Sequence, residues 1–195
     1  MAARNRVRRA CLAALEIRRE FAAAAAQPEH PLHHFRVGIG LAGGRAVAGK
    51  IGSADQVQVT VFGPVVNLAQ RLEGLTRSLH AEILVDAATA AEANARLEPQ
   101  LGATRPIATV RPKGMAQSVA VHELLPAEHV PANVDPASYG RILEHFSAGR
   151  WREAKSLTAE LPIEAQWGRF LVEWIERHGD VAPQDWNGVI PFENK

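Results

Sequence analysis

The chain has 195 residues, 47% of them hydrophobic and 22% charged, with 22 basic against 21 acidic side chains and a net charge of +1. This globular composition excludes an intrinsically disordered chain, and its charge balance gives no electrostatic case for a nucleic-acid-binding surface. The single cysteine, Cys11, excludes an internal disulfide framework or a CxxC metal knuckle and fits a reducing compartment, and no apolar run reaches the roughly 20 residues of a membrane span.

Arg4, Arg6, Arg8 and Arg9 precede a short apolar stretch in the manner of a targeting signal, but Glu16, Arg18, Arg19 and Glu20 interrupt it far short of a secretory core. Val7, Cys11, Leu12, Leu15 and Ile17 recur at helical spacing, so residues 4–26 are predicted as an amphipathic helix that stops before Pro28. Residues 28–34 form a proline-broken loop whose three histidines, His30, His33 and His34, read as solvated side chains and not as metal ligands. Residues 35–41 predict a strand running into a glycine-rich turn. Val57, Val59 and Val61 alternate with Gln58 and Thr60, the pattern of a strand with one buried face. Pro64 suits the first turn of a helix, with Val65, Leu68, Ala69 and Leu72 turned inward. A short buried strand over 83–85, an alanine-rich helix over about 87–96, and strands over 109–111 and 118–124 joined through Lys113-Gly114 follow.

Pro126, Pro131 and Pro136 mark residues 126–136 as a linker. Beyond it, Tyr139, Ile142, Leu143 and Phe146 form one helical stripe. Trp151, Ala154, Leu157 and Leu161 form a second, and Trp167, Phe170, Leu171, Trp174 and Ile175 a third. All four tryptophans follow residue 150, which predicts a small helical appendix with its own aromatic packing. One helix pair falls short of the repeats a solenoid adaptor needs.

Two glycine patterns mimic nucleotide motifs. Gly38-Ile39-Gly40-Leu41-Ala42-Gly43 matches GxGxxG, but Gly44, Gly49 and Gly52 crowd the region where a dinucleotide fold needs a helix. Gly44 to Lys50 resembles a phosphate-binding loop, yet Ile51 stands where that loop needs Ser or Thr for magnesium. These glycines instead read as tight turns and close strand crossings.

The block Thr60 to Glu73 is the most informative. Asn67 and Arg71, four apart, lie on one helix face, where an amide and a guanidinium fork could clamp a ribose and a phosphate; a solvated helix face is the alternative. Together with Gly38-Ile39-Gly40, Ala48-Gly49-Lys50-Ile51-Gly52-Ser53 and Val110-Arg111-Pro112-Lys113-Gly114, the block Thr60 to Leu72 resembles the class III nucleotide cyclases, the adenylate and guanylate cyclases, over residues 4–125. The tail, through Gly149-Arg150-Trp151-Arg152-Glu153-Ala154 and Pro183-Gln184-Asp185-Trp186-Asn187-Gly188-Val189, resembles the helical extension after some bacterial cyclase domains.

The resemblance implies an α/β (α+β) fold, a truncated cyclase palm with a mixed sheet and flanking helices, followed by a small helical tail. It divides the chain into residues 1–125, a partial catalytic domain, 126–136, a linker, and 137–195, a helical extension. It also implies a reaction in which the ribose 3′-hydroxyl attacks the α-phosphate, at sites shared between two domains of a dimer. By motif position Asn67 would orient the ribose, Arg71 would stabilise charge on the α-phosphate, Lys113 would bind the triphosphate, and Thr60 would read the base, favouring ATP over GTP. Such cyclases hold magnesium or manganese on two aspartates early in the domain. The first aspartate here is Asp55, beyond that region, and Pro64 replaces the aspartate that often follows Gly63. The expectation is therefore a fragment or truncated product of an adenylate cyclase, cytoplasmic or attached through an upstream segment. It would bind no metal alone, lack activity by itself and act with a second cyclase domain. The alternative is a non-catalytic partner module that docks on a cyclase domain.

Overall fold

The computed structural model describes residues 6–53, 56–162 and 168–192, without the side chains of residues 51–58; Asp55 and Trp167 lie outside the described residues. Helix α1 (Arg6–Ala25) leads through a loop to β1 (Ile39–Leu41), then to β2 (Val47–Ser53), β3 (Gln56–Phe62), α2 (Pro64–Leu75), β4 (Ile83–Asp86), α3 (Ala87–Arg96), β5 (Gly102–Arg111) and β6 (Val119–Pro126). Helices α4 (Pro136–Ser147), α5 (Trp151–Ala159) and α6 (Arg169–Arg177) precede a last short strand, β7 (Ile190–Pro191). Five strands form one mixed sheet in the order β1-β4-β6-β5-β7, while β2 and β3 pair only with each other as an antiparallel ribbon. Within the sheet β1 runs parallel to β4 and β7 parallel to β5, and the β4–β6 and β5–β6 pairs are antiparallel. This is the mixed sheet with flanking helices that the resemblance implied.

Every residue of β4 is buried, because both sheet faces are covered. Ile83 and Val85 join Leu124 and the inward residues of α1 and α3, Cys11, Leu15, Ala90 and Ala93, on one side. Leu84, Val110 and Val121 join Leu72 and Leu75 of α2 and the core residues of α4, α5 and α6 on the other. Local chemistry sets the helix starts. The Asp86 carboxylate accepts from the Thr89 N–H at 2.8 Å, and Asp135 accepts from Ala137 N–H ahead of Pro136, each satisfying an orphan donor of a first turn. Across β5 and β6, Arg105 donates from Nε (2.9 Å) and Nη2 (2.7 Å) to Glu123, and its guanidinium lies 5.8 Å from the Tyr139 ring centroid of α4. Burial pushes the Glu123 carboxyl above its ordinary range even with Arg105 beside it; removing one partner of such a buried pair costs about 3–5 kcal/mol.

Several expected elements differ. The predicted strand over 35–41 shortens to β1, and Phe35 is exposed. Strand β5 begins at Gly102, seven residues before the strand expected over 109–111, and accommodates Pro106 by a register shift between Pro106 and Ala108. The alternation around Thr60 is a true strand, but it lacks the expected buried face: Val59 is 74% and Val61 49% exposed, because the β2–β3 ribbon leaves the sheet. The tail helices form where the stripes place them. Their aromatic residues share one core with the sheet, however, and β7 adds a strand to it.

Cys11 is fully buried under α3 and the sheet, and burial pushes its thiol up to about 11. At pH 8 the native chain should therefore react with a thiol reagent only through opening of α1. Labelling should be at least about 100-fold slower than in urea, and equal rates would show that α1 does not seat on the sheet.

Candidate functional site

Helix α2 enters at Gly63, whose φ of 145° is open to glycine and strained for other residues; a Cβ there would also meet the Arg45 carbonyl at 3.0 Å. Pro64 follows in the first turn, where its missing N–H costs nothing. The helix then lies directly on β1. A Cβ on Gly40 would stand 2.1 Å from the Ala69 carbonyl oxygen and 2.5 Å from Glu73 N, and one on Gly38 would strike the Thr76 hydroxyl. The glycines read as close strand crossings thus admit a helix instead. With Leu72 and Leu75 buried against the sheet, Asn67 and Arg71 fall on the exposed side of α2.

The turn between β5 and β6 carries Lys113 and Gly114. It is closed by Met115 N–H donating to the Pro112 carbonyl at 3.0 Å, and Gly114 takes φ 76°. A Cβ on Gly114 would lie 3.6 Å from Arg71 Nη2, so the guanidinium of α2 reaches the tip of this turn, 43 positions on in the sequence. The fold thereby brings Arg71 to the Lys113 turn, with Asn67 one helical turn before it. Beside the turn, Arg111, Pro112, Lys113, Gly114, Met115 and Phe192 line a shallow cleft of about 250 Å³. Thr60, half-buried on β3 and paired with Gly49, sits on the ribbon leading into α2.

The side chains of Arg71, Lys113 and Asn67 make no hydrogen bond or ion pair with another described residue. Several other cations of the chain do pair with carboxylates: Arg8 with Glu98, Arg18 with Glu82, Arg105 with Glu123, Arg169 with Glu173, and Lys155 with Glu176 and Asp180. An exposed guanidinium fork, an ammonium and an amide within one patch form a donor set for a polyphosphate. Two cations beside a single amide oxygen do not fit a divalent cation, which takes several carboxylate or carbonyl oxygens, and among the described residues no group of three or more His, Cys, Asp or Glu is arranged to hold a metal. The sequence did not anticipate that Arg71 and Gly114 meet, or that Phe192 joins the turn. Neither has a local signal, since both contacts are made by distant segments.

Comparison with known proteins assigns the class. The family described as Adenylate and Guanylate cyclase catalytic domain matches residues 2–114, more than half of the chain, and the chain belongs to that family. It is similar to Adenylate cyclase 1 of Rhizobium meliloti (strain 1021), 31% identical over 115 residues that make up 59% of this chain and 16% of that protein. It is also similar to an adenylate cyclase of Anabaena cylindrica, 31% identical over 94 residues, 48% of this chain and 18% of that protein. The chain thus spans under a fifth of the length of these relatives. A solved structure of a bacterial light-regulated adenylyl cyclase matches with a TM-score of 0.53 and 22% identity over 71% of this chain and 38% of that one, a likeness of fold. No helix among the described residues is long and apolar enough to cross a membrane.

Because the side chains of Asn67, Arg71 and Lys113 are exposed and have no partner among the described residues, their alanine variants should hold stability within about 0.5 kcal/mol. Chemical denaturation checks this. A loss of more than about 1.5 kcal/mol at any of them would make that residue structural.

Proposed function

We propose that this chain contributes the charge-stabilising half of an adenylate cyclase site, converting ATP to 3′,5′-cyclic AMP and pyrophosphate together with a second cyclase domain. The observation that carries the reading is the meeting of Arg71 with the Lys113 turn, neither cation having a carboxylate partner among the described residues. In the reaction the ribose 3′-oxygen forms a bond to the α-phosphorus as the bond to the pyrophosphate oxygen breaks. Asn67 would hold the ribose in line. The Arg71 fork would meet negative charge growing on the α-phosphate, and Lys113 would hold the β- and γ-phosphates as a point charge. Magnesium or manganese would be held by carboxylates that the partner domain brings.

The β2–β3 ribbon supports the need for a partner. Val47, Val59, Val61, Phe62 and Val66 are exposed around it, a cluster of apolar side chains that a second domain would cover.

The 195-residue chain alone should make no measurable cyclic AMP with either metal. Mixed with a cyclase domain that keeps its aspartates but has lost its own Asn/Arg pair, it should restore activity. Arg71→Ala in this chain should lower the restored rate by about 10²–10³. A mixed dimer that forms and stays inactive overturns the reading. Equal rescue by Arg71→Ala, by contrast, favours the chain as a docking module that contributes no catalytic group.

Base choice should follow Thr60, with ATP turned over faster than GTP in the restored dimer. Thr60→Ala should narrow the ratio by about 5-fold or more, the worth of a lost hydrogen bond. A preference for GTP in the parent would remove Thr60 from the base-reading role.

A further inference from the structure

The segment after α6 returns to the sheet along a continuous path that ends on the Lys113 turn. It is anchored first in the helical extension. Trp151 and Trp186 both donate their indole N–H to the Phe146 carbonyl, each at 3.1 Å, and the three rings meet with centroids 5.1–5.7 Å apart. Gly188, at φ 81°, then passes the Ser147 backbone, where a Cβ would meet the carbonyl oxygen at 3.2 Å. Ile190, fully buried, pairs with Val110, and Pro191 with Arg111. Finally the Phe192 N–H donates to the Arg111 carbonyl at 3.0 Å, and Phe192 lines the cleft beside Lys113, Gly114 and Met115. A second link ties the extension to the loop after α2. His80, in the loop that follows α2, lies 3.1 Å through Nε2 from Glu173 of α6.

Without β7, the end of β5 would be an open edge, and the residues leading to Lys113 would be held on one side alone. A lysine carries a flexible four-carbon stem, so the cost of localising its ammonium depends on how firmly its backbone is fixed. We propose that β7 and Phe192 are a strap by which the helical extension positions Lys113 for the triphosphate, Phe192 being the positioning residue. This rests on the reading of Lys113 given above, and the experiment separates the two.

The variants are Phe192→Ala, which removes the ring, Phe192→Pro, which also removes the N–H, and Phe192→Leu, which keeps an apolar side chain. Retention of the fold is checked by thermal unfolding. Amide exchange at Gly114 and Met115 is measured on the chain alone, and the Kd for ATP in the mixed dimer by displacement of a fluorescent ATP analogue, which needs no turnover. Phe192→Ala should speed exchange at both amides and weaken ATP about 3–10-fold. Phe192→Pro should go further, and Phe192→Leu should restore most of both. In a Lys113→Ala background, Phe192→Ala should weaken ATP no further, since the strap acts through that lysine. Unchanged exchange in Phe192→Ala, or an undiminished effect on Kd when Lys113 is absent, overturns the strap. If Lys113→Ala weakens ATP and Phe192→Ala does not, the strap alone fails. If Lys113→Ala leaves Kd unchanged, the triphosphate role of Lys113 fails and the strap's function falls with it.

Discussion

The separation between α2 and β1 is the constraint on which the rest of the site depends. A Cβ at Gly40 would stand 2.1 Å from the Ala69 carbonyl oxygen, closer than any helix could tolerate without sliding outward. Because position 40 has no side chain, the helix backbone rests almost directly on the strand. Leu72 and Leu75 then reach the core of the sheet, and the opposite face, with Asn67 and Arg71, is held rigidly outward. Moving α2 away by the width of a methyl group would empty the space under Leu72 and draw Arg71 off the Gly114 turn. Packing and site geometry are therefore one property here, set by a residue that takes no part in the chemistry.

The helical extension enters the same arrangement from the other side. Its core residues Tyr139, Ile142, Phe146, Trp151, Leu171 and Ile175 share a cluster with Leu72, Leu84 and Val110, so the sheet face that carries α2 is completed by the tail. Arg105 and Glu123, buried on that face, are bridged to α4 through the Tyr139 ring. A carboxylate so placed needs its guanidinium partner, since burial alone favours the neutral acid. The extension thus protects a polar pair as well as apolar area.

Elements whose pattern is local were legible in the sequence. The spacing of Val7, Cys11, Leu12 and Leu15 anticipated α1, Pro64 the start of α2, and the three aromatic stripes the tail helices. Thr60, Asn67, Arg71 and Lys113 stood out through motif order, and the fold places Arg71 and the Lys113 turn together. Features fixed by distant segments were not legible. The period-2 valines of β3 correctly announced a strand, but whether a strand's apolar face is covered depends on what lies opposite, and here nothing in the described chain does. Pro106 hid the first half of β5, because the register shift that accommodates it is a property of the β5–β6 pair. The approach of α2 to β1 was hidden for the same reason: a glycine in a strand pattern does not say which backbone comes near.

Two features of segment 44–75 are left uncompensated within the described chain, and one event would satisfy both. Val59 and Val61 expose apolar area on the ribbon, at about 25 cal/mol for each Å² kept in water. A few residues on, Arg71 holds an unpaired charge beside an exposed lysine. In a monomer water solvates the exposed Arg71 guanidinium, whereas the apolar area of the valines is left uncovered by the surrounding fold. In the proposed mixed dimer, a second domain covers the valines, and a polyphosphate held between the domains meets the cations in a drier setting, where each charge-assisted contact is stronger. Covering the ribbon and charging the site then reinforce one another, because excluding water strengthens the phosphate contacts. The stability withheld from the isolated chain is the reserve from which nucleotide-dependent association would draw.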